Sequence, residues 1–158
     1  MNKSYSAKTV FVTCQPAGWD GPTLVLNDGA RTTGDFCVVA MSADESTITP
    51  AQEGGGVVNI MPGTDGTITV TLLGAARHNN ALSDARRYQK REGIPRAWQI
   101  QVKDGQGSTL HSCPFAVIQG SPPDSFAEEK GDRVWVFLCP SLDMDHREAD
   151  NLGGAMTT

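Results

Sequence analysis

The stretch from Gly66 to Leu73 alternates between aliphatic and hydroxyl side chains, and this pattern constrains the fold more than any other in the chain. In an extended strand, the aliphatic side chains at positions 68, 70 and 72 share one face. The other face carries three threonines: Thr67, Thr69 and Thr71. A period of two with β-branched residues predicts a strand that packs one face on a core and leaves an uncharged face in water.

Other short segments share this β character and are separated by turn signals such as Asn27-Asp28-Gly29 and the loop from Gln119 to Asp124. They are predicted to be strands and cover residues 8–13, 23–26, 36–41, 47–49, 57–60, 97–102, 108–118 and 133–139. Strands at turn-rich intervals predict a mainly β fold, a β-sandwich or half-barrel.

One segment predicts a helix that lies against the strands. It starts at His78-Asn79-Asn80, which offers an N-cap, and stops at Gly93 and Pro95. Its narrow apolar stripe comprises Leu82, Ala85, Tyr88 and Gln89.

The length of 158 residues suits one domain that folds without a disulfide or a metal. We find no internal repeat and no linker, so residues 1–158 are predicted to form one domain with a core at about 5–142. Residues 143–158 are acidic and then rich in small residues, which predicts an extended C-terminal arm.

The net charge of −5 argues against a general nucleic-acid binder, which would be basic. The charge is uneven: residues 77–96 carry six basic and two acidic side chains, whereas residues 124–150 carry eight acidic and three basic ones. A solvated helix face beside an acidic tail would explain this pattern. So would a basic helix that meets an acidic patch across a subunit boundary. A nucleic-acid patch is disfavoured, because Tyr88 is the one aromatic residue among these basic side chains.

No catalytic, cofactor or metal site is predicted, and the chain is not expected to be an enzyme. The four cysteines lack paired spacing, which favours buried thiols in a reducing compartment. Strand alternation explains His111-Ser112-Cys113 without catalysis. Asp143-Met144-Asp145 lacks the later Gly and Glu of a calcium loop, and Gly54-Gly55-Gly56 lacks the end of a phosphate loop. No apolar run has the length of a membrane span or a signal peptide.

The uncharged segments 36–41, 57–60 and 66–73 would be hazardous as exposed sheet edges, because an unprotected edge pairs with other chains. We expect them to be interior strands or to pair deliberately in an oligomer.

Several features occur in an order that resembles the tail tube proteins of contractile-tailed bacteriophages. They are the Gly-Thr-Ile-Thr strand at 66–69, a Lys-Asp-x-x-Gly turn followed by Thr-Leu at 103–110, an Ile-Gln-x-x-Pro loop at 118–122, Phe126 with nearby acids and Lys130, and Gly131 before the strand at 133–139. The resemblance covers about residues 36–142.

The resemblance implies a β-sandwich or half-barrel flanked by one helix, with subunits that join in a hexameric ring around a continuous inner β-barrel. Rings would stack into a tube inside the sheath of a virion tail, assembled in the host cytoplasm, and genomic DNA would pass through the lumen. The implied partners are further copies of the chain, the sheath, and baseplate, initiator and terminator proteins. An acidic or neutral wall would let DNA slide without specific binding.

On this basis we expect Thr67, Thr69 and Thr71 to face the lumen. Subunit contacts are expected at basic and acidic positions: Arg86, Arg87, Lys90, Arg91, Glu128, Glu129, Asp143 and Asp145. The turn at 42–46, the glycines at 54–56 and both termini are candidates for contacts between rings. Two alternatives remain at this point: a tube or tail protein of a related contractile system, and a β-barrel that binds a small ligand or has a cryptic active site.

Overall fold

The computed structural model describes residues 10–29, 35–104 and 110–146, and within these ranges the fold is mainly β. Its ten strands are β1 (Val10–Pro16), β2 (Leu24–Val25), β3 (Cys37–Met41), β4 (Ser46–Pro50), β5 (Gly56–Ile60), β6 (Gly66–Leu72), β7 (Trp98–Asp104), β8 (Leu110–Ile118), β9 (Arg133–Cys139) and β10 (Asp143–Asp145). The α-helix α1 spans His78–Glu92, and a 3-10 helix spans Leu26–Gly29.

Eight strands form one antiparallel sheet in the order β2-β1-β7-β8-β9-β6-β3, with β10 beside β8. The first half of β8 lies between β7 and β10, whereas its end pairs with β9 at Val117 and Ile118. The strand β8 therefore joins the two halves of the sheet. The sheet does not close into a barrel within the described ranges, in agreement with the predicted sandwich or half-barrel.

A β-bulge lies where β8 changes partners. Trp98 opposes Ala116 and Ile100 opposes Cys113, so Pro114 and Phe115 together face the single residue between Trp98 and Ile100. Proline has no N–H to donate to the ladder, and a bulge tolerates it. A bulge bends and twists its strand, and this one lies just before β8 passes from β7 to β9.

The core confirms the alternation of the 66–73 segment. Ile68, Val70 and Leu72 are fully buried, and they pack in one cluster with Trp98 and Phe137. Burying one aliphatic side chain of this size contributes about 1.5–3 kcal/mol. The face of β6 that the sequence predicts to be apolar is thus the face on which the fold is built.

The C-terminal end of α1 is as predicted, but its N-terminal cap is not. Gly93 adopts a left-handed φ of 67°, and its N–H donates to Gln89 O at 3.0 Å. The N-cap position is Arg77, which makes no side-chain cap. Asn79 is unavailable as a cap because it ties the helix to the sheet: its Nδ2 donates to Leu73 O, and its Oδ1 accepts from Trp135 Nε1, both at 2.9 Å.

Two other local predictions differ from the structure. The segment that contains Asn27-Asp28-Gly29 is a 3-10 helix rather than a simple turn. The predicted arm begins as strand β10, whose Asp143 and Asp145 pair with Ser112 and Leu110 of β8. Four parts of the predictions lie outside the described residues: 147–158 of the arm, 105–107 of the predicted turn, 108–109 of the strand that follows it, and 8–9 of the first predicted strand.

Candidate interaction surfaces

The hairpin β4–β5 forms a two-stranded sheet of its own and exposes an aliphatic face. Ile48 lies opposite Val58, and Ile60 follows on the same face. Ile48 is 71% exposed and Ile60 is 80% exposed. The opposite face holds mainly polar residues: Thr47, Thr49, Val57 and Asn59. An isolated hairpin is marginal in water, and exposed apolar side chains in a row mark a contact surface.

The outer face of β3, β6 and β9 is uncharged. Thr69 lies between Val38 of β3 and Val136 of β9, and Thr67 lies between Ala40 and Leu138. Thr67 and Thr69 are half-buried.

Thr71 does not belong to a solvent-exposed row. Thr71 is only 8% exposed, and its backbone N–H donates to Phe36 O at 2.8 Å. The expected wet face of β6 is therefore limited to Thr67 and Thr69 in the single subunit.

Strand β3 is an uncharged sheet edge. It is the terminal strand in the sheet order, and it pairs with β6 along its whole length. Its other edge has no strand partner among the described residues, and Cys37–Met41 contains no charge that would discourage pairing. Of the three uncharged segments in the sequence, 66–73 is interior, 36–41 is an edge and 57–60 is in the hairpin.

The four predicted basic residues of α1 divide into two pairs. Arg87 and Arg91 line a cleft of about 880 Å³ between the helix and the loop at Trp19. Arg86 and Lys90 are not part of the lining of this cleft. Arg91 Nε is 2.9 Å from Glu92 Oε1, but both side chains are exposed, and such pairs contribute little.

An arginine and two aromatic rings line one part of the cleft. The guanidinium carbon of Arg96 lies 3.6 Å from the centroid of the Tyr88 ring and 4.7 Å from that of Trp19. Trp19 packs edge-on against Trp98, with 4.9 Å between the ring centroids, and its Nε1 donates to Ala97 O at 2.8 Å. These contacts hold Trp19 and Arg96 as rigid walls of the cleft.

The predicted acidic residues lie in two separate places. Glu128 and Glu129 are exposed on the loop between β8 and β9, whereas Asp143 and Asp145 are on β10. Within the part of the chain that the structure describes, no ion pair joins any of these acids to the four basic residues of α1. A single subunit therefore does not bring the predicted basic and acidic sets together.

The thiols are mostly buried, as the cysteine pattern predicts. Cys14, Cys113 and Cys139 are buried and Cys37 is half-buried. Burial raises the pKa of Cys37 to about 12 and raises the pKa of Cys14 further. The hydrogen bond with Cys113, together with burial, raises the pKa of Cys139.

His111 and Cys113 lie on the same side of β8 and are both buried, in agreement with strand alternation. Burial lowers the pKa of His111, and the neighbouring His146 lowers it further. No group of three or more His, Cys, Asp or Glu residues is placed to hold a metal ion in the described ranges. None of the helices there is long and apolar enough to cross a membrane.

Residues 3–146 match the family model of the bacteriophage PhiTE tail tube protein. The chain belongs to this tail tube family. The match confirms the resemblance to phage tail tube proteins and assigns a structural role, a subunit that assembles with further copies into the tube of a virion tail. No curated protein matches the chain.

Proposed function

We propose that this tail tube subunit forms hexameric rings that stack into a hollow tube inside a contractile sheath, and that the tube conducts genomic DNA into the host cell. The observation that carries the proposal is the β4–β5 hairpin, whose aliphatic face is exposed in the single subunit. A protein that assembles into a tube covers such a face with the next subunit or the next ring.

The edge strand β3 supports ring closure. Its outer edge has no strand partner among the described residues and is uncharged, and pairing with a strand of the neighbouring subunit would satisfy its backbone groups. Repeated around the ring, this pairing would produce a continuous inner barrel.

The uncharged outer face of β3, β6 and β9 suits a wall past which DNA slides. Thr67 and Thr69 offer hydroxyl groups without positive charge, so a lumen lined by them would not hold phosphates. Thr71 would join this lining only if assembly opened the surface around it. The net charge of −5 per subunit also disfavours tight binding of DNA.

The remaining partners follow from this role. The basic residues Arg86, Arg87, Lys90 and Arg91 would lie on the outside of the tube, against an acidic region of the adjacent subunit or the sheath. Baseplate, initiator and terminator proteins would contact the two ends of the tube. Assembly would take place in the host cytoplasm, and the subunit would have no enzymatic role.

Electron microscopy of the concentrated purified protein tests the assembly. We expect rings with a central channel, and stacks of rings at higher concentration. Monomeric particles at every concentration and salt condition would contradict the proposed function.

The hairpin is tested by placing a charge on each of its faces. Ile48→Asp should prevent the stacking of rings, because a carboxylate would have to be desolvated in an apolar contact. Thr49→Asp adds the same charge to the polar face, where it can accept the hydrogen bond that Asn59 donates, and should leave stacking intact. Equal stacking of both variants, measured by sedimentation and microscopy, would exclude the aliphatic face as a contact between rings.

A further inference from the structure

The cleft beside α1 combines aromatic walls with an excess of positive charge. Trp19 and Tyr88 contribute apolar surface on either side of the Arg96 guanidinium. Four arginines and two aspartates are among the lining residues: Arg77, Arg87, Arg91, Arg96, Asp20 and Asp84. Such a lining fits an apolar or aromatic group that is flanked by carboxylates.

The same chain displays a group of this kind. Phe126 is 94% exposed on the loop between β8 and β9, and Glu128 and Glu129 follow it. We call residues 124–130 the acidic knob. Within the described residues Glu128 and Glu129 form no ion pair, so their carboxylates are available to a partner.

The acidic knob is held in place at its base. Phe126 and Lys130 form an antiparallel bridge that closes the tip. Arg133 Nη1 lies 3.0 Å from Asp124 Oδ1 and donates to Gly131 O at 3.2 Å. Less conformational entropy is lost when a loop ordered in this way binds a partner.

The knob and the cleft lie on different flanks of α1. On the cleft side, Tyr88 and Arg91 face Trp19 and the loop that follows it. On the other side, Gln89 Nε2 donates to Ile118 O, where the chain leaves β8 for the knob. Phe126 is almost fully exposed and is not among the residues that line the cleft, so the knob does not occupy the cleft of its own subunit.

We propose that the acidic knob of one subunit inserts into the cleft of the next, with Phe126 against the surfaces of Trp19 and Tyr88 that Arg96 leaves uncovered, and with Glu128 and Glu129 near Arg87 and Arg91. The proposal rests on the proposed function, because it assumes that copies of the chain assemble side by side. The two surfaces differ, so the contact is heterologous, and repeated heterologous contacts build a ring.

Two variants that each lose one side of the contact test the proposal. The first removes the knob by Phe126→Ala with Glu128→Gln, and the second removes the positive charge of the cleft by Arg87→Glu with Arg91→Glu. Each variant alone should need at least a roughly tenfold higher concentration to assemble than the natural chain. Circular dichroism checks that both variants are folded.

Mixing the two variants gives the decisive result. The intact knob of one fits the intact cleft of the other, whereas the remaining knob and cleft cannot pair. Analytical ultracentrifugation should therefore show a one-to-one heterodimer at concentrations at which each variant alone is monomeric. A mixture that remains monomeric, while the natural chain assembles, would overturn the inference.

A matched control reverses one charge away from α1. Lys103→Glu changes an exposed side chain on β7 outside the cleft lining and should leave the assembly of the natural chain unchanged within about twofold, whereas Arg87→Glu alone should impair it. If Lys103→Glu and Arg87→Glu impair assembly equally, the cleft is not the specific contact. If the variants assemble normally, the inference fails and the proposed function stands, whereas a natural chain that never assembles contradicts both.

Discussion

Asn79 shows how one side chain can connect the helix to the sheet. Its amide donates to Leu73 O, and its carbonyl oxygen accepts from the indole of Trp135, which is 1% exposed. A buried indole N–H that lost this acceptor would be left without a hydrogen bond. Asn79 therefore fixes the position of α1 relative to β9.

Replacing Asn79 tests this connection. Asn79→Ala should lower the free energy of unfolding by about 1–3 kcal/mol, because the Trp135 N–H loses its acceptor. Urea denaturation followed by tryptophan fluorescence measures the change. Asn80→Ala is the matched control, since Asn80 is exposed on the same turn of α1, and it should leave the stability within about 0.5 kcal/mol. Equal losses in the two variants would contradict the role of Asn79.

At the scale of elements, the predictable features are those that depend on neighbouring residues. The alternation of 66–73 predicts β6 and its buried face, and Gly93 predicts the end of α1. The predicted N-cap was wrong because the Asn79 side chain is hydrogen-bonded to Leu73 and Trp135 instead. These two residues are distant from one another in sequence. Strand β10 carries no apolar alternation, and only its pairing with β8 reveals it.

The candidate site was less predictable than the fold. The cleft depends on Trp19, Tyr88 and Arg96, and no local pattern connects Trp19 with the end of α1. One signal was present in the sequence: Phe126 is an aromatic residue among acids in a loop, where it has no core to join. Pro114 inside a predicted strand was a second signal, which marks the bulge of β8.

The C-terminal end of α1 allows a test of an element boundary. Gly93→Ala should destabilise the fold by about 1–2 kcal/mol, because an alanine is strained at a φ of 67°. Gly120→Ala is the control, since its backbone is not left-handed and no heavy atom lies within 4 Å of an added Cβ. Thermal unfolding compares the two variants. A larger loss of stability in Gly120→Ala than in Gly93→Ala would show that the end of α1 is not the constrained position.

At the scale of the whole molecule, charge is separated rather than balanced locally. The segment around α1 has an excess of positive charge, and residues 124–150 have an excess of negative charge. Within the described residues, no ion pair joins Glu128, Glu129 or Asp143 to the basic residues Arg86, Arg87, Lys90 and Arg91 of α1, so a neighbouring subunit can match them. Complementary charge of this kind sets the orientation and the rate of association more than the final affinity.

Salt should therefore weaken the assembly. Raising the salt from about 0.1 M to about 1 M shortens the Debye length from about 10 Å to about 3 Å and screens exposed charges. We expect the concentration at which the natural chain assembles to rise over this range, as measured by sedimentation. Arg87→Gln removes one of the charges and should reduce the dependence on salt. If the concentration at which the natural chain assembles does not change with salt, charge does not guide the assembly.

The protected thiols have a consequence for the life of the particle outside the cell. Outside a reducing compartment, thiolates are oxidised and crosslinked. Burial raises the pKa of Cys14 and Cys37, so these thiols stay protonated at neutral pH. The hydrogen bond between Cys113 and Cys139 raises the pKa of Cys139 and lowers that of Cys113 to about 7, but both side chains are buried. A tail built from many such subunits therefore presents little reactive thiol to an oxidising medium.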